Sequence, residues 1–210
     1  MTSPTPPAEP TYADRVYRSP GGIAGGAVLL VLGLWLAGDA IAQGHGSAPW
    51  LALAGLLCGV PLVFAFTVRP AVFANDDRLR VRNPFRTITL PWAAVADVRA
   101  GYSSEVFDQA GTKYQLWSIP VSLRQRKRAA RAQVRASASD PYSRTSPTAS
   151  ADDTSRLAPA DRTIRELREL AERGAAREGA QGGPSVRWAY EIIAPAAAGA
   201  VLLIVLLAVA

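Results

Sequence analysis

The chain has 210 residues, 49% of them apolar, with 23 Lys and Arg against 17 Asp and Glu and a net charge of +6. A mean hydropathy of only +0.09 at that apolar content requires very apolar and very polar stretches side by side, which excludes a uniformly mixed soluble domain. The single cysteine, Cys58, excludes an intrachain disulfide and any CxxC redox or zinc pattern.

Residues 1–20 carry Pro at positions 4, 6, 7, 10 and 20 and are expected to form a disordered tail. Three apolar runs follow along the chain, at 22–42, 49–68 and 192–210. Each is close to the roughly 20 residues a helix needs to cross about 30 Å of hydrocarbon. The first two predict a transmembrane helical hairpin over 21–68, turning near His45. Ala40-Ile41-Ala42 resembles a signal-peptide cleavage site, but the length of the run, Asp39 beside it and the second span close behind favour an uncleaved hairpin. Counting depth from the turn sets Gly33 opposite Gly55 and Gly59, a small-residue surface suited to close helix packing. Gly21, Gly22, Gly25 and Gly26 offer a similar surface to a second copy. Asp39 lies within a turn of the outer end and reads as a solvated or capping carboxylate.

Arg15 and Arg18 precede the first run, the 43–48 loop has no charge, and every other Lys and Arg lies between Arg69 and Arg187. The positive-inside rule then predicts a multi-pass plasma-membrane protein with its amino terminus and middle segment cytoplasmic and its carboxy terminus outside.

From Val68 to Val121 the pattern changes to short alternating runs separated by turns, the signature of antiparallel strands. Val72 to Ala74 opens the first, and Leu79 and Val81 alternate with Arg78, Arg80 and Arg82 in the second. Ile88 and Leu90 mark the third, Val95 to Val98 the fourth, 105–108 the fifth and 113–119 the sixth. Trp92 and Trp117 are expected in the core.

The stretch Val72-Phe73-Ala74-Asn75-Asp76-Asp77-Arg78-Leu79-Arg80-Val81-Arg82-Asn83-Pro84-Phe85-Arg86, followed by Leu90-Pro91-Trp92 and Val95-Ala96-Asp97-Val98, resembles a bacterial PH-like family. It is the type known as the low molecular weight protein antigen 6 PH domain, and the order of two spans, β domain and terminal span resembles its actinobacterial members. The resemblance covers about 69–120 and implies two nearly orthogonal antiparallel sheets closed by a carboxy-terminal helix. The turn at which eukaryotic lipid-binding relatives present basic residues carries Asp76 and Asp77 here, against phosphoinositide recognition at that place.

After this β domain, assigned to 69–122, a basic helix is expected over 123–136. Arg124, Arg126, Lys127, Arg128, Arg131 and Arg135 occur there without an acidic residue among them and form the candidate contact for anionic lipid or a partner. Residues 137–160, rich in Ser, Thr, Pro, Ala and Asp, predict a disordered linker. Asp161 as N-cap, the stripe Ile164, Leu167, Leu170 and Ala171, and Gly174 as the stop predict an amphipathic helix over 161–174 that caps the β domain. The terminal transmembrane helix is assigned to 187–210, with Trp188 and Tyr190 at its interface and the small-residue stretch 196–200 expected to dock on the hairpin.

The fold class is therefore an α+β membrane protein: a transmembrane hairpin, a small PH-like antiparallel β domain with a capping helix, and a terminal transmembrane helix. No catalytic constellation is present: His45 is the only histidine and lies in a loop, and neither GxSxG nor a Walker-type loop occurs. No enzyme activity, cofactor, metal or nucleic-acid partner is expected. The reading is a binding or scaffold protein that presents its PH-like domain to a protein partner or the inner membrane face, with membrane lipids and a second copy as further partners. An anionic-lipid sensor working through the basic helix and a small transporter or channel subunit using Asp39 are the alternatives.

Overall fold

Alternation decides the centre of the fold. Leu79, Val81, Ile88 and Leu90 are fully buried, while the arginines and threonines between them occupy the opposite face, as the two-residue period of a strand requires. A computed structural model describes residues 14–139 and 157–209. In chain order its elements begin with β1 (Arg15–Tyr17), α1 (Pro20–Gln43), α2 (Ala48–Val63), β2 (Ala71–Ala74), β3 (Arg78–Arg82) and β4 (Arg86–Pro91). There follow β5 (Val95–Ala100), β6 (Ser104–Asp108), β7 (Lys113–Gln115), α3 (Leu123–Ser139), α4 (Pro159–Gly174), β8 (Ser185–Trp188) and α5 (Tyr190–Val209).

Two antiparallel sheets result, one of five strands in the order β1-β2-β3-β4-β8 and one of three in the order β5-β6-β7. Their inner faces meet in one core with Trp92, Val98, Val106 and the Ile164, Leu167 and Leu170 stripe of α4. The sequence expectation that the later helix caps the β domain agrees with this packing. Fully burying Leu167 alone contributes roughly 1.5–3 kcal/mol. Trp92 is fully buried and its Nε1 donates to the Asn75 carbonyl at 2.8 Å, so its one polar atom is satisfied. Gly174 ends α4 against this indole: a Cβ there would lie 2.5 Å from Trp92 Cδ1 and 2.9 Å from the Asp76 carbonyl oxygen.

Several boundaries differ from the sequence expectation. The tail assigned to 1–20 contains a strand, β1, whose Val16 lies opposite Phe73; residues 1–13 fall outside the described residues. The segment leading into the last apolar helix is β8, paired with β4, and α5 starts only at Tyr190. The sixth strand stops at Gln115, so Trp117 leaves the sheet and is 44% exposed rather than core. Helix α3 runs to Ser139, beyond the 123–136 assignment, and α4 begins at Pro159 with Ala158 as N-cap, not Asp161. Proline suits that first helical position because its missing N–H has no partner there in any helix. Most of the linker assigned to 137–160 lies outside the described residues.

Three helices are long and apolar enough to cross a membrane: Pro20–Gln43, Ala48–Val68 and Tyr190–Val209. The second includes Phe64–Val68, a wide turn closed by the Arg69 N–H on the Phe64 carbonyl at 2.9 Å, just past Pro61. Close approach falls on the 196–200 stretch expected to dock on the hairpin and on Gly26, not on the Gly33, Gly55 and Gly59 surface. A Cβ on Gly199 would lie 2.4 Å from the Cys58 backbone nitrogen, so α5 packs backbone to backbone on α2. Gly26 of α1 makes room for the Thr67 side chain. Gly33, Gly55 and Gly59 instead line an open apolar groove of about 530 Å³ between α1 and α2, and none of them has an atom within 4 Å of an added Cβ. The small side chains leave space there that the hairpin does not close.

Candidate anion-binding face

The face of the five-stranded sheet turned away from the core is set by the same alternation that buries Leu79 and Val81. Strand register brings its residues into rows: Arg82 lies opposite Thr87, and Thr87 opposite Arg187, across β3, β4 and β8. The next row is Arg80, Thr89 and Ser185. With strands about 4.8 Å apart, Thr87 sits between two arginines whose backbones are roughly 10 Å from each other. A groove of about 350 Å³ runs along this face, with Arg78 at one end and Arg69, Trp188 and Glu191 at the other.

Its charges are only partly balanced. Arg69, 7% exposed, is held by three acceptors: the Asn83 carbonyl at 3.2 Å, Glu191 Oε1 at 3.1 Å and Thr87 Oγ1 at 3.4 Å. Arg80 pairs with Asp14 at 2.9 Å and lies 4.6 Å over the Phe73 ring. Arg78, Arg82 and Arg187 make no ion pair among the described residues. Burial, and then the charges of Arg69, Arg18 and Arg80, hold the Arg82 guanidinium below its usual pKa.

Below the groove the sheet joins the apolar helices. Phe66 of the wide turn meets Phe85 edge to face at 5.3 Å and Trp117 at 5.6 Å, while Ala65, Ala189 and Ile192 form a small buried cluster beside Phe85. The Ala189 N–H donates to the Phe85 carbonyl at 2.9 Å. Trp117 is thus committed to the junction of sheet and helices.

The six basic residues expected to form a binding surface divide. Arg126 is a structural clamp: it forks onto Asp161, at 3.0 Å from Nε to Oδ2, and donates to the Ala100 and Gly101 carbonyls at 2.8 Å each. It ties α3 to α4 and to the β5–β6 turn, and is spent on that. Arg124, Lys127, Arg128 and Arg131 are exposed on α3, and the side chain of Arg135 lies outside the described residues. The acidic turn at Asp76 and Asp77 is clasped by Arg177, 3.0 Å from Asp77 Oδ1, after the end of α4.

A family model described as Bacterial PH domain matches residues 69–179. The chain belongs to the bacterial PH-domain family. The match starts where α2 ends and extends past α4, so the PH domain takes in α3 and α4 as well as β2 to β7. The sequence resemblance had reached only to about residue 120. Strands β1 and β8 lie outside the match, yet both pair with PH-domain strands. The basic groove is therefore composite: Arg69, Arg78, Arg80, Arg82 and Thr87 come from the PH domain, and Arg187, Trp188 and Glu191 from the segment entering α5. No curated protein and no solved structure matches the chain.

Proposed function

We propose that the chain is a membrane-anchored PH-domain module, a binding or scaffold protein that holds its domain against the inner membrane face for a protein partner. The amino terminus and PH domain are cytoplasmic and the carboxy terminus is outside. The observation that carries this reading is the way sheet and helices are spliced. Strand β1 runs into α1 and β8 into α5 within three residues, and the wide turn that continues α2 to Val68 ends three residues before β2 begins. A domain joined to its anchor at three places is presented at a fixed height, which suits a surface meant to be met by something else at that membrane. The transporter alternative draws little support, since the Asp39 carboxylate accepts a hydrogen bond from Gln43 one turn on, near the end of α1 farthest from the sheet.

Crosslinking in native membranes followed by purification is the test. Partners recovered with the full chain should be lost from a chain in which α2 is joined directly to α5 without residues 71–187. An unchanged set of partners rejects the module as the binding element. Reporter fusions after His45 and after Val121 check the sidedness, and an extracytoplasmic signal from the second rejects it.

A further inference from the structure

We propose that the basic groove on the outer face of the five-stranded sheet binds the phosphate-bearing headgroup of an anionic lipid from the bilayer that anchors the chain, with Arg82 and Arg187 gripping it from either side of Thr87. This rests on the reading of the three apolar helices as membrane spans. The chemistry is that of phosphate recognition: planar guanidinium forks match phosphate oxygens two at a time, and a threonine hydroxyl between them adds a donor. Two of the groove's cations are already satisfied within the protein, Arg69 by Glu191 and Arg80 by Asp14. Arg78, Arg82 and Arg187 remain without an ion pair among the described residues, and they ring one concave surface.

Position selects a lipid over an acidic peptide. The floor of the groove is made by Arg69, next after the wide turn of α2, and by Glu191 in the first turn of α5. Arg187 lies three residues before Tyr190, the first residue of α5, hence roughly 10 Å along an extended strand. The polar headgroup layer is about 5–7 Å thick on each side of the hydrocarbon, so the backbone at Arg187 stands only a few ångströms beyond it, within the reach of a long arginine side chain. Phosphate is present there at high local concentration without recruitment, whereas an acidic soluble partner would have to displace it. The exposed indole of Trp188 at the groove's lower edge belongs to the same interfacial level. Burial and the neighbouring charges of Arg69, Arg18 and Arg80, only partly offset by Glu191, disfavour the charged Arg82, and a bound anion would relieve that.

The full chain, purified in a neutral detergent, is titrated with phosphatidylglycerol and separately with phosphatidylcholine, and retained lipid is read by native mass spectrometry. The wild type should retain phosphatidylglycerol preferentially. An Arg82→Gln/Arg187→Gln double variant should hold it about thirtyfold more weakly, the effect of losing two cations beside an anionic surface. An Arg124→Gln/Arg128→Gln variant of α3 should match the wild type. Equal retention of both lipids by the wild type, or undiminished retention by the double variant, overturns the proposal. If the double variant unfolds, Arg187→Gln alone decides, since the residue is exposed on an edge strand: about fivefold weaker retention supports the site and no change overturns it. Arginine-dependent binding of a polyglutamate peptide by a wild type with no lipid preference overturns it in favour of an acidic protein. Release of the chain from native membranes by alkaline carbonate without detergent would reject the anchor, an outcome separate from any of the lipid readings.

Discussion

Arg126 shows how one side chain can change its role between sequence and structure. Among basic neighbours it reads as one cation of a surface patch, yet it spends its guanidinium on Asp161 and on the carbonyls of Ala100 and Gly101. Hydrogen bonds of this kind to charged groups contribute about 1.5–3 kcal/mol, and the pair is about a quarter exposed, so solvent screening brings the expected contribution to about 1–2 kcal/mol. Arg126→Ala should lower the thermal midpoint of the full chain in detergent by that amount of stability, and Arg126→Lys should recover little of it because an ammonium cannot make the planar fork. Arg124→Ala, at an exposed position two residues away, should leave the midpoint unchanged. Equal effects of Arg124→Ala and Arg126→Ala would contradict the clamp.

At the scale of elements, strands β2 to β6 and the three apolar helices were legible because each follows a strong period or an unbroken apolar run, and α4 because its stripe is regular. Strands β1 and β8 were not. They have three and four residues, and their exposed positions show no alternation that marks a buried face. Register with β2 and β4, not local pattern, makes them strands. The basic groove escaped for a related reason: Arg78, Arg80 and Arg82 look like the ordinary solvent side of β3, while Arg187 joins them only through the pairing of β8 with β4 and Arg69 only through its bonds to Asn83, Thr87 and Glu191. Helix packing was legible at the small-residue stretch of α5 but not within the hairpin. Glycine was correctly read as the residue of close approach, yet the contact is Gly199 on the α2 backbone, while Gly33, Gly55 and Gly59 face open space. Gly199→Leu should therefore separate α5 from α2, costing about 1–3 kcal/mol as an overpacked interface, and lower the midpoint measured in detergent. Gly33→Leu, with nothing within 4 Å of an added Cβ, should cost little. The reverse order of the two midpoints would show that the hairpin groove closes in the membrane.

For the molecule as a whole, the decisive property is that the PH domain has no tether. Its sheet is continuous with all three apolar helices, and the seam is closed by the Arg69 to Glu191 ion pair, the Ala189 N–H on the Phe85 carbonyl, and Phe66 between Phe85 and Trp117. The height and orientation of the basic face relative to the apolar helices follow from these contacts, so the arginines of that face are held at a fixed distance from the helices. Two glycines inserted after Ala189 would leave the strand and helix intact but move Glu191 away from Arg69 and break the register of the seam. Spin labels on Lys113→Cys and Ser47→Cys in a Cys58→Ser background report on domain and far helix ends respectively. Their distance distribution, read by pulsed electron resonance on the full chain in nanodiscs, should be narrow in the native sequence and broad in the insertion variant. A distribution equally broad in both proteins would mean that the domain moves freely on its anchor, and the fixed-height account of its binding face would fail.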